Sequence, residues 1–200
     1  MSRTIKTISD FKAKLQGGAA RPNLFEVSIP SFPDFVSGWD DDTFNFLCKS
    51  AALPASNVAQ IDVPFRGRVL KVAGDRTFDV WTVTVINDED FKLRTSFEEW
   101  MNHISKLDNA TGATSPSSYM VDAYVHQMGR GEQRFSTENT TADTQIPLRS
   151  YRFYDIFPTN ISQIDLSYDT SDAIEDYTVD FQVQYWAADG GRDQTGRAIN

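Results

Sequence analysis

The chain reads as mainly β, an antiparallel β-sandwich or open barrel with one flanking α-helix. Three observations carry that reading. Segments of alternating apolar and polar residues recur along the chain, Gly, Pro, Asn and Asp punctuate them at short intervals, and a single internal segment has strong helical spacing. The 200 residues suit one domain, enough to bury about 70% of the unfolded surface without staples. Within 1–200 the expected parts are a basic N-terminal arm at 1–22, a β-rich core at 23–187 with its helix at about 92–108, and a polar tail at 188–200.

Element by element, Ile5, Ile8, Phe11 and Leu15 fall at near-helical spacing until Gly17-Gly18 stop the pattern. Arg3, Lys6, Lys12, Lys14 and Arg21 make this amphipathic arm basic against an acidic body. Docking on the chain's own surface and docking on a neighbour are both open to it. From Leu24 to Ile29, Phe25, Val27 and Ile29 alternate with Leu24, Glu26 and Ser28, as a half-buried strand requires. Thr43 to Ala51 and Val58 to Phe65 supply two more strands, and Pro64 puts the second at a sheet rim. Val69 to Ala73 and Arg76 to Ile86 read as strands joined at Gly74-Asp75, a pair suited to a tight turn. Phe78, Val80, Trp81, Val83 and Val85 leave the second of these apolar on both faces, so it is expected inside the fold.

The helix follows. Phe97, Trp100, Met101, Ile104 and Leu107 form one stripe, while Glu98, Glu99, Asn102 and Lys106 face water. Thr95 and Glu98 have capping-box spacing, which would mark the helix start. After the loop from Thr111 to Ser118, Tyr119, Val121, Ala123 and Val125 alternate with polar neighbours as another half-buried strand. The polar segment from Gly129 to Gln145 fits an extended hairpin or a loop equally. Three last strands are expected at Arg149 to Phe157, Ile161 to Tyr168 and Tyr177 to Trp186, the last with one wet side.

Composition excludes several classes of function. A formal charge of −9 and a pI near 4.6 oppose nonspecific nucleic-acid binding, which draws on Lys and Arg. On its own such acidity does no more than keep a protein soluble. With a single cysteine, Cys48, no internal disulfide is possible, and no apolar run is long enough to cross a bilayer. The N-terminus lacks a signal peptide's apolar core and cleavage site, so synthesis and assembly in a reducing cytoplasm are expected. The N-x-S/T triplets at Asn109, Asn139 and Asn160 then read as coincidences.

No constellation points to chemistry, so no catalytic, cofactor-binding or metal residues are assigned. Asp40-Asp41-Asp42 lacks the spaced ligands and glycine of a calcium loop and reads as a solvated acidic loop. His103 and His126 have no Cys or second His at ligand spacing and read as surface or edge residues. Cys48 reads as a small buried side chain without a base to activate it. Gly129-Arg-Gly131-Glu-Gln-Arg134 lacks the third glycine and the helix of a nucleotide loop. Carboxylates are numerous enough for a glycosidase pair, and Trp39 or Tyr124 could line a sugar groove, but sequence gives no separation between them.

Three blocks carry a resemblance: Gly17 to Pro30 (GGAARPNLFEVSIP), Phe65 to Asn102 with its glycine-arginine strand, arginine-phenylalanine-tryptophan strand and Asn-Asp lead into a helix, and Tyr151 to Trp186. Taken from Gly17 to Trp186, they span well over half of the chain in order. They resemble the tail tube proteins of T4-like contractile-tail bacteriophages; Trp39 to Thr43 and Gly129 to Pro147 match no pattern of that family. The resemblance implies a structural subunit without cofactor, six copies of which join edge to edge into a ring with a continuous inner β-barrel. Rings stack into a hollow virion tube that conducts viral DNA without binding it specifically. Its implied partners are other copies, the tail sheath protein, baseplate tube-initiating proteins and the tape-measure protein, with assembly in the host cytoplasm. Six subunits giving four strands each, about 4.8 Å apart and tilted up to about 45°, make a barrel on the order of 35 to 50 Å across.

Under that implication Asp62, Asp122 and Asp180 are candidate lumen-facing acids that would repel phosphates. Lys12, Lys14, Arg21, Arg66 and Arg68, on the arm and on the Leu53 to Arg68 hairpin, are candidate contacts between rings. Glu98 and Glu99 on the outer helix are candidate sheath contacts. Two other readings stand beside this one: the tube of a contractile secretion or bacteriocin-like injection system, and, more distantly, a carbohydrate-binding β-sandwich using exposed aromatics.

Overall fold

The computed structural model describes residues 7–15, 19–129, 147–169 and 171–189. In chain order the elements are α1 (Ile8–Lys14), β1 (Phe25–Ser28), α2 (Asp41–Leu47), β2 (Cys48–Ala51), β3 (Ser56–Phe65), β4 (Arg68–Phe78), β5 (Trp81–Ile86), α3 (Lys92–Ile104), β6 (Val121–Met128), β7 (Pro147–Ile161), β8 (Asp176–Gln182) and β9 (Tyr185–Asp189). Seven strands make one sheet in the order β1-β6-β7-β8-β5-β2, with β9 on β7, while β3 and β4 form a separate antiparallel ribbon. The chain divides into two compact units, residues 27–125 with 151–188, and residues 1–26 with 126–150 and 189–200.

In the larger unit the core forms where β5 and β8 pair antiparallel from Trp81 opposite Phe181 to Ile86 opposite Asp176. Alternation puts Trp81, Val83 and Val85 of β5, and Tyr177, Val179 and Phe181 of β8, among the buried residues. Helix α3 buries Leu93, Ser96, Phe97 and Trp100, three- and four-residue steps that give one apolar stripe. The Phe97 ring meets Phe181 edge-on at 5.9 Å, Trp81 stacks on Phe153 at 4.5 Å, and Phe32 stacks on Trp39 at 3.8 Å. Each such pair adds about 0.5–1.5 kcal/mol beyond area burial. Buried indoles also need a partner for their N–H: Trp100 donates to the Tyr119 carbonyl at 2.8 Å, Trp81 to Ala52 at 3.0 Å and Trp39 to Ile29 at 3.2 Å.

The smaller unit contains α1, whose start is fixed by a complete capping box. The Asp10 amide donates to the Thr7 hydroxyl, and the Asp10 carboxylate accepts the Thr7 amide at 2.9 Å. That amide and the Thr7 hydroxyl hold the Asp10 carboxyl below the usual carboxylate range. Elsewhere in this unit the Gln127 side-chain amide donates to the carbonyls of Arg21 and Leu24, and the Met128 amide also donates to Leu24.

Several elements differ from the sequence reading. The tight turn lies at Arg66-Gly67, with φ of 46° and 80°, a positive pair that matches the twist of a two-residue hairpin. Gly74-Asp75 instead lie inside β4, where the pairing slips between Val58 and Gln60. A Cβ at Gly74 would stand 3.1 Å from the Ala59 carbonyl oxygen, so this glycine admits a close backbone approach at a bulge. Strand β5 begins only at Trp81; it has the expected interior place, between β8 and β2, but Thr82 on its other face is exposed.

Asp41–Leu47 is helical where a strand was expected from Thr43, because three successive aspartates favour a helix start, where backbone N–H groups and the dipole welcome negative charge. Helix α3 starts at Lys92, the expected bound, but not through the Thr95 capping box: the Asp88 carbonyl accepts the Phe91 amide, Phe91 takes the left-handed conformation at φ 51°, and its carbonyl receives the Thr95 amide. It ends at Ile104, short of 108, and leaves Leu107 exposed. Ile161 to Tyr168 is not a separate strand, since β7 runs unbroken from Pro147 to Ile161 and irregular chain follows. The wet-sided strand ends at Gln182, and Tyr185 opens β9. Residues 130–146, with most of the Gly129 to Gln145 segment and the Arg130 to Arg134 motif, lie outside the described residues, as does 190–200 of the polar tail.

Candidate functional site

The main path of the sheet, from which β9 branches at β7, ends at β1 and β2, and these two ends differ. Val27 and Ile29 point their amides away from β6, and both are taken by α2: Asn45 Oδ1 accepts Val27 at 3.2 Å, and Asp41 Oδ1 accepts Ile29 at 2.6 Å. The Ser28 hydroxyl donates to Asp41 Oδ2 at 2.5 Å. Side chains therefore seal the β1 margin, a protected edge by ordinary rules. The Asp40-Asp41-Asp42 run is thus no solvated loop. Asp40 accepts the Thr43 hydroxyl at 2.5 Å, and that bond lowers its pKa, while Asp41 ties α2 to the first strand. Strand β2 pairs with β5 on one side and, among the described residues, has no partner strand on the other.

The ribbon β3–β4 is the second unprotected feature. Apart from the half-buried Gly74 and Phe78, every residue from Ser56 to Phe78 is exposed. Val58, Ile61, Val63, Phe65, Val69, Leu70 and Val72 are 43 to 67% exposed. A two-stranded hairpin is marginal in water by itself. The described residues of the chain provide no surface that buries these side chains. The apolar residues of α1 have the same character: Ile8, Phe11 and Leu15 are exposed, and α1 buries no residue.

Candidate residues fall in unequal places. Arg66 and Arg68 flank the ribbon's turn as expected, with the Arg66 guanidinium 5.4 Å from the Phe65 ring. Lys12, Lys14 and Arg21 are exposed. Asp62 is an exposed ribbon residue paired opposite Lys71. Asp180 lies opposite Thr82 on the sheet face away from the aromatic core and accepts the Thr82 hydroxyl at 2.6 Å and the Asn160 amide at 3.0 Å. Asp122 is committed differently. Arg152 contacts it at 2.5 and 3.1 Å, and its other oxygen accepts the Asp155 amide at 3.1 Å, where β7 bends at φ 52°. This pairing raises the Arg152 pKa. Glu98 accepts Arg94 at 2.9 Å, and Arg94 also donates to the Ser162 carbonyl; Glu99 is exposed.

The remaining sequence candidates take structural places. Cys48 is buried, and burial pushes its thiol up to about 12, far from nucleophile behaviour. His103 stacks on Phe35 at 3.6 Å, and His126 shares a hydrogen bond with Ser150 at 2.8 Å. Trp39 belongs to the aromatic core, and Tyr124 faces the Arg152 guanidinium at 5.5 Å. Among the described residues no three His, Cys, Asp or Glu side chains converge as a metal site, and no helix is long and apolar enough to cross a membrane.

Sequence reading missed two features: the sealed β1 margin and the exposed length of the ribbon. The first had a signal in the acidic start of α2; the second had one in Arg66-Gly67, a pair able to take positive φ.

An exposed apolar ribbon beside an open sheet margin defines a β-rich protein suited to association with other chains. The profile of the phage tail tube protein family matches residues 20–189. The tail tube protein gp19 of Enterobacteria phage T4 is 35% identical over 170 residues, spanning 85% of this chain and 92% of the relative, and gp19 of phage T6 is 34% identical over the same spans. The tail tube protein of Serratia phage KSP90 is 24% identical over 93% of this chain and 99% of the relative. The chain belongs to the phage tail tube protein family, of the T4-like kind, and so to the structural proteins of the virion.

Solved structures agree on the fold. A chain of the 6-fold symmetrised anti-feeding prophage baseplate superimposes with a TM-score of 0.58 at 10% identity, covering 85% of this chain and 95% of the other. A chain of the PVC extracellular contractile injection system, from its sheath/tube terminator in the extended state, gives 0.55 at 14% identity over 85% and 96%.

Proposed function

We propose that this protein is the subunit of a contractile-tail phage tube, that six copies close into a ring with a continuous inner β-barrel, and that stacked rings conduct viral DNA from capsid to host. The observation that carries the reading is the β3–β4 ribbon, whose apolar side chains find no cover among the described residues. Strand addition between copies satisfies the free β2 margin and the outer edges of the ribbon together. Because the β1 margin is sealed by Asp41 and Asn45, lateral joining runs through β2 and the ribbon instead. Such a contact is head-to-tail and closes by rotation.

In this arrangement Asp180 and its Thr82 and Asn160 neighbours present a polar wall to the lumen, and Asp62 adds negative charge along the ribbon. Carboxylates there repel phosphates, so the genome slides without being gripped. Asp122 contributes less, because Arg152 offsets its charge. The arm with Lys12, Lys14 and Arg21, and the turn with Arg66 and Arg68, contact the next ring. Glu99 on the outer face of α3, with Glu98 beside it, meets the sheath; baseplate tube-initiating proteins nucleate the first ring and the tape-measure protein sets the length. Assembly takes place in the host cytoplasm. Identity to the phage T4 and T6 tube proteins favours a genome conduit over an effector-injecting tube.

Negative-stain imaging of the purified protein at high concentration, alone and with its baseplate, is the test. Six-fold annuli or tubes with an axial hole are expected. A protein that stays monomeric in sedimentation under both conditions overturns the proposal.

A further inference from the structure

The loop between β7 and β8 carries a surface that the fold does not use. Ile164, Leu166, Tyr168 and Ile174 line an open groove of about 610 Å³, and Leu166 and Ile174 are 80% and 78% exposed. Between Ser162 and Asp176 the sequence has five acids, Asp165, Asp169, Asp172, Glu175 and Asp176, and no Lys or Arg. Asp176 pairs with Lys49, Glu175 accepts Asn87 and Asp165 accepts Gln163, whereas the carboxylates of Asp169 and Asp172 have no partner among the described residues. The groove's lining mixes these apolar side chains with Asp165, Glu175 and Asp176, and exposed Asp169 and Asp172 lie in the same loop.

The ribbon tip is its complement. From Val63 to Lys71 the sequence carries Arg66, Arg68 and Lys71 and no acid, beside exposed Phe65, Val69 and Leu70. Position agrees with chemistry. The ribbon joins the sheet just before Trp81, which pairs with Phe181 at one end of β5, while the acidic loop enters β8 at Asp176, opposite Ile86 at the other end. The ten residues of β3 reach about 33 Å. The base of the ribbon and the acidic loop thus join opposite ends of the β5–β8 pair. A plug and a socket on different parts of one chain suit an open-ended, head-to-tail series of copies.

We propose that the socket of the 162–176 loop receives the β3–β4 tip of a second copy, Phe65 and Leu70 entering the groove while Arg66 and Arg68 meet Asp169 and Asp172. This rests on the tube reading and names the receiving surface of its ring-to-ring contact. It is heterologous, so the two halves are separately mutable.

Two charge-reversed variants test it, R66E with R68E, and D169R with D172R, together with the chain carrying all four changes. Like charges facing across the contact should raise the concentration needed for tube formation by about tenfold or more in either two-residue variant, and the four-residue variant should recover it. A second measurement places Cys at Arg68 and at Asp172 in a C48A background. Oxidation of concentrated protein should give a ladder of linked copies, which either cysteine alone limits to dimers. If wild-type tubes form but the four-residue variant is no better than its parents and no ladder appears, the socket is elsewhere and the tube reading stands. If wild type forms neither rings nor tubes and no ladder appears, both fall.

Discussion

The Asp41 carboxylate accepts the Ile29 amide at 2.6 Å, closing the first strand of the sheet with the first turn of a helix twelve residues later. The same side chain takes the Ser28 hydroxyl through its other oxygen. An edge strand normally offers its unpaired amides to any passing strand. Here the sequence spends a carboxylate to withdraw them.

Asp41→Ala should therefore do two things. Leaving the part-buried Ile29 amide unpaired costs about 1–3 kcal/mol, a fall of roughly 3–10 °C in melting temperature for a domain of this size. The freed margin should also make the monomer aggregate amorphously. Thermal melts with light scattering check both; an unchanged melt would remove the edge-sealing role.

Cys48 gives a pH dependence. Its thiol is buried and its pKa is raised from 9.0 to about 12, first by desolvation and against a weaker lowering from the Ser50 backbone. The folded state holds the proton after the unfolded chain has released it, so this contribution is complete below pH 9 and is lost as pH rises toward 12. Across that window the thiol should steepen the loss of stability by up to about 1.4 kcal/mol per pH unit. Urea midpoints at several alkaline pH values should fall more gently for Cys48→Ala than for wild type, from a lower start. Parallel lines would exclude the thiol.

Tyr177 points the opposite way in design terms. Its hydroxyl is buried without a hydrogen-bond partner among the described residues, and burial, the main cause, pushes the phenol above its ordinary pKa. Arg94 lies over the ring at 5.2 Å and does not satisfy the oxygen. Removing an unsatisfied buried polar atom costs nothing in hydrogen bonds, so Tyr177→Phe should leave stability unchanged or raise it by about 1 kcal/mol. A urea midpoint clearly below wild type would reveal an unseen partner for the hydroxyl.

Much of this fold was legible because it follows local rules. The alternation of Tyr177, Val179 and Phe181 and the stripe of Phe97 and Trp100 each identify a buried face without knowledge of the rest. What escaped were choices settled by partners distant in sequence. Thr95 and Glu98 have capping-box spacing, yet the turn at Asp88 to Phe91 launches α3 three residues earlier and Glu98 goes to Arg94. Gly74-Asp75 has the composition of a turn but serves as a bulge because Ala59 approaches it across the ribbon. Among site residues, Arg66 and Arg68 were placed correctly at a turn. For Asp122, a candidate lumen-facing acid, nothing near it in sequence announces Arg152 thirty residues on.

The ribbon offers a way to separate folding from assembly. Ile61 and Val63 are 54% and 43% exposed, so they contribute little to the lone chain, and surface substitutions of this kind usually change stability by less than about 0.5 kcal/mol. If the ribbon is completed by other copies, the same two side chains lie in a dry interface, and polar replacements there weaken every contact in the polymer. Ile61→Ser with Val63→Ser should therefore melt like wild type when dilute and monomeric but fail to form tubes at concentrations where wild type forms them. Circular dichroism melts and negative-stain counts on one preparation make the comparison. A variant that melts several degrees lower as a monomer would mean that the ribbon packs against its own chain, and its apolar faces would no longer point to a neighbour.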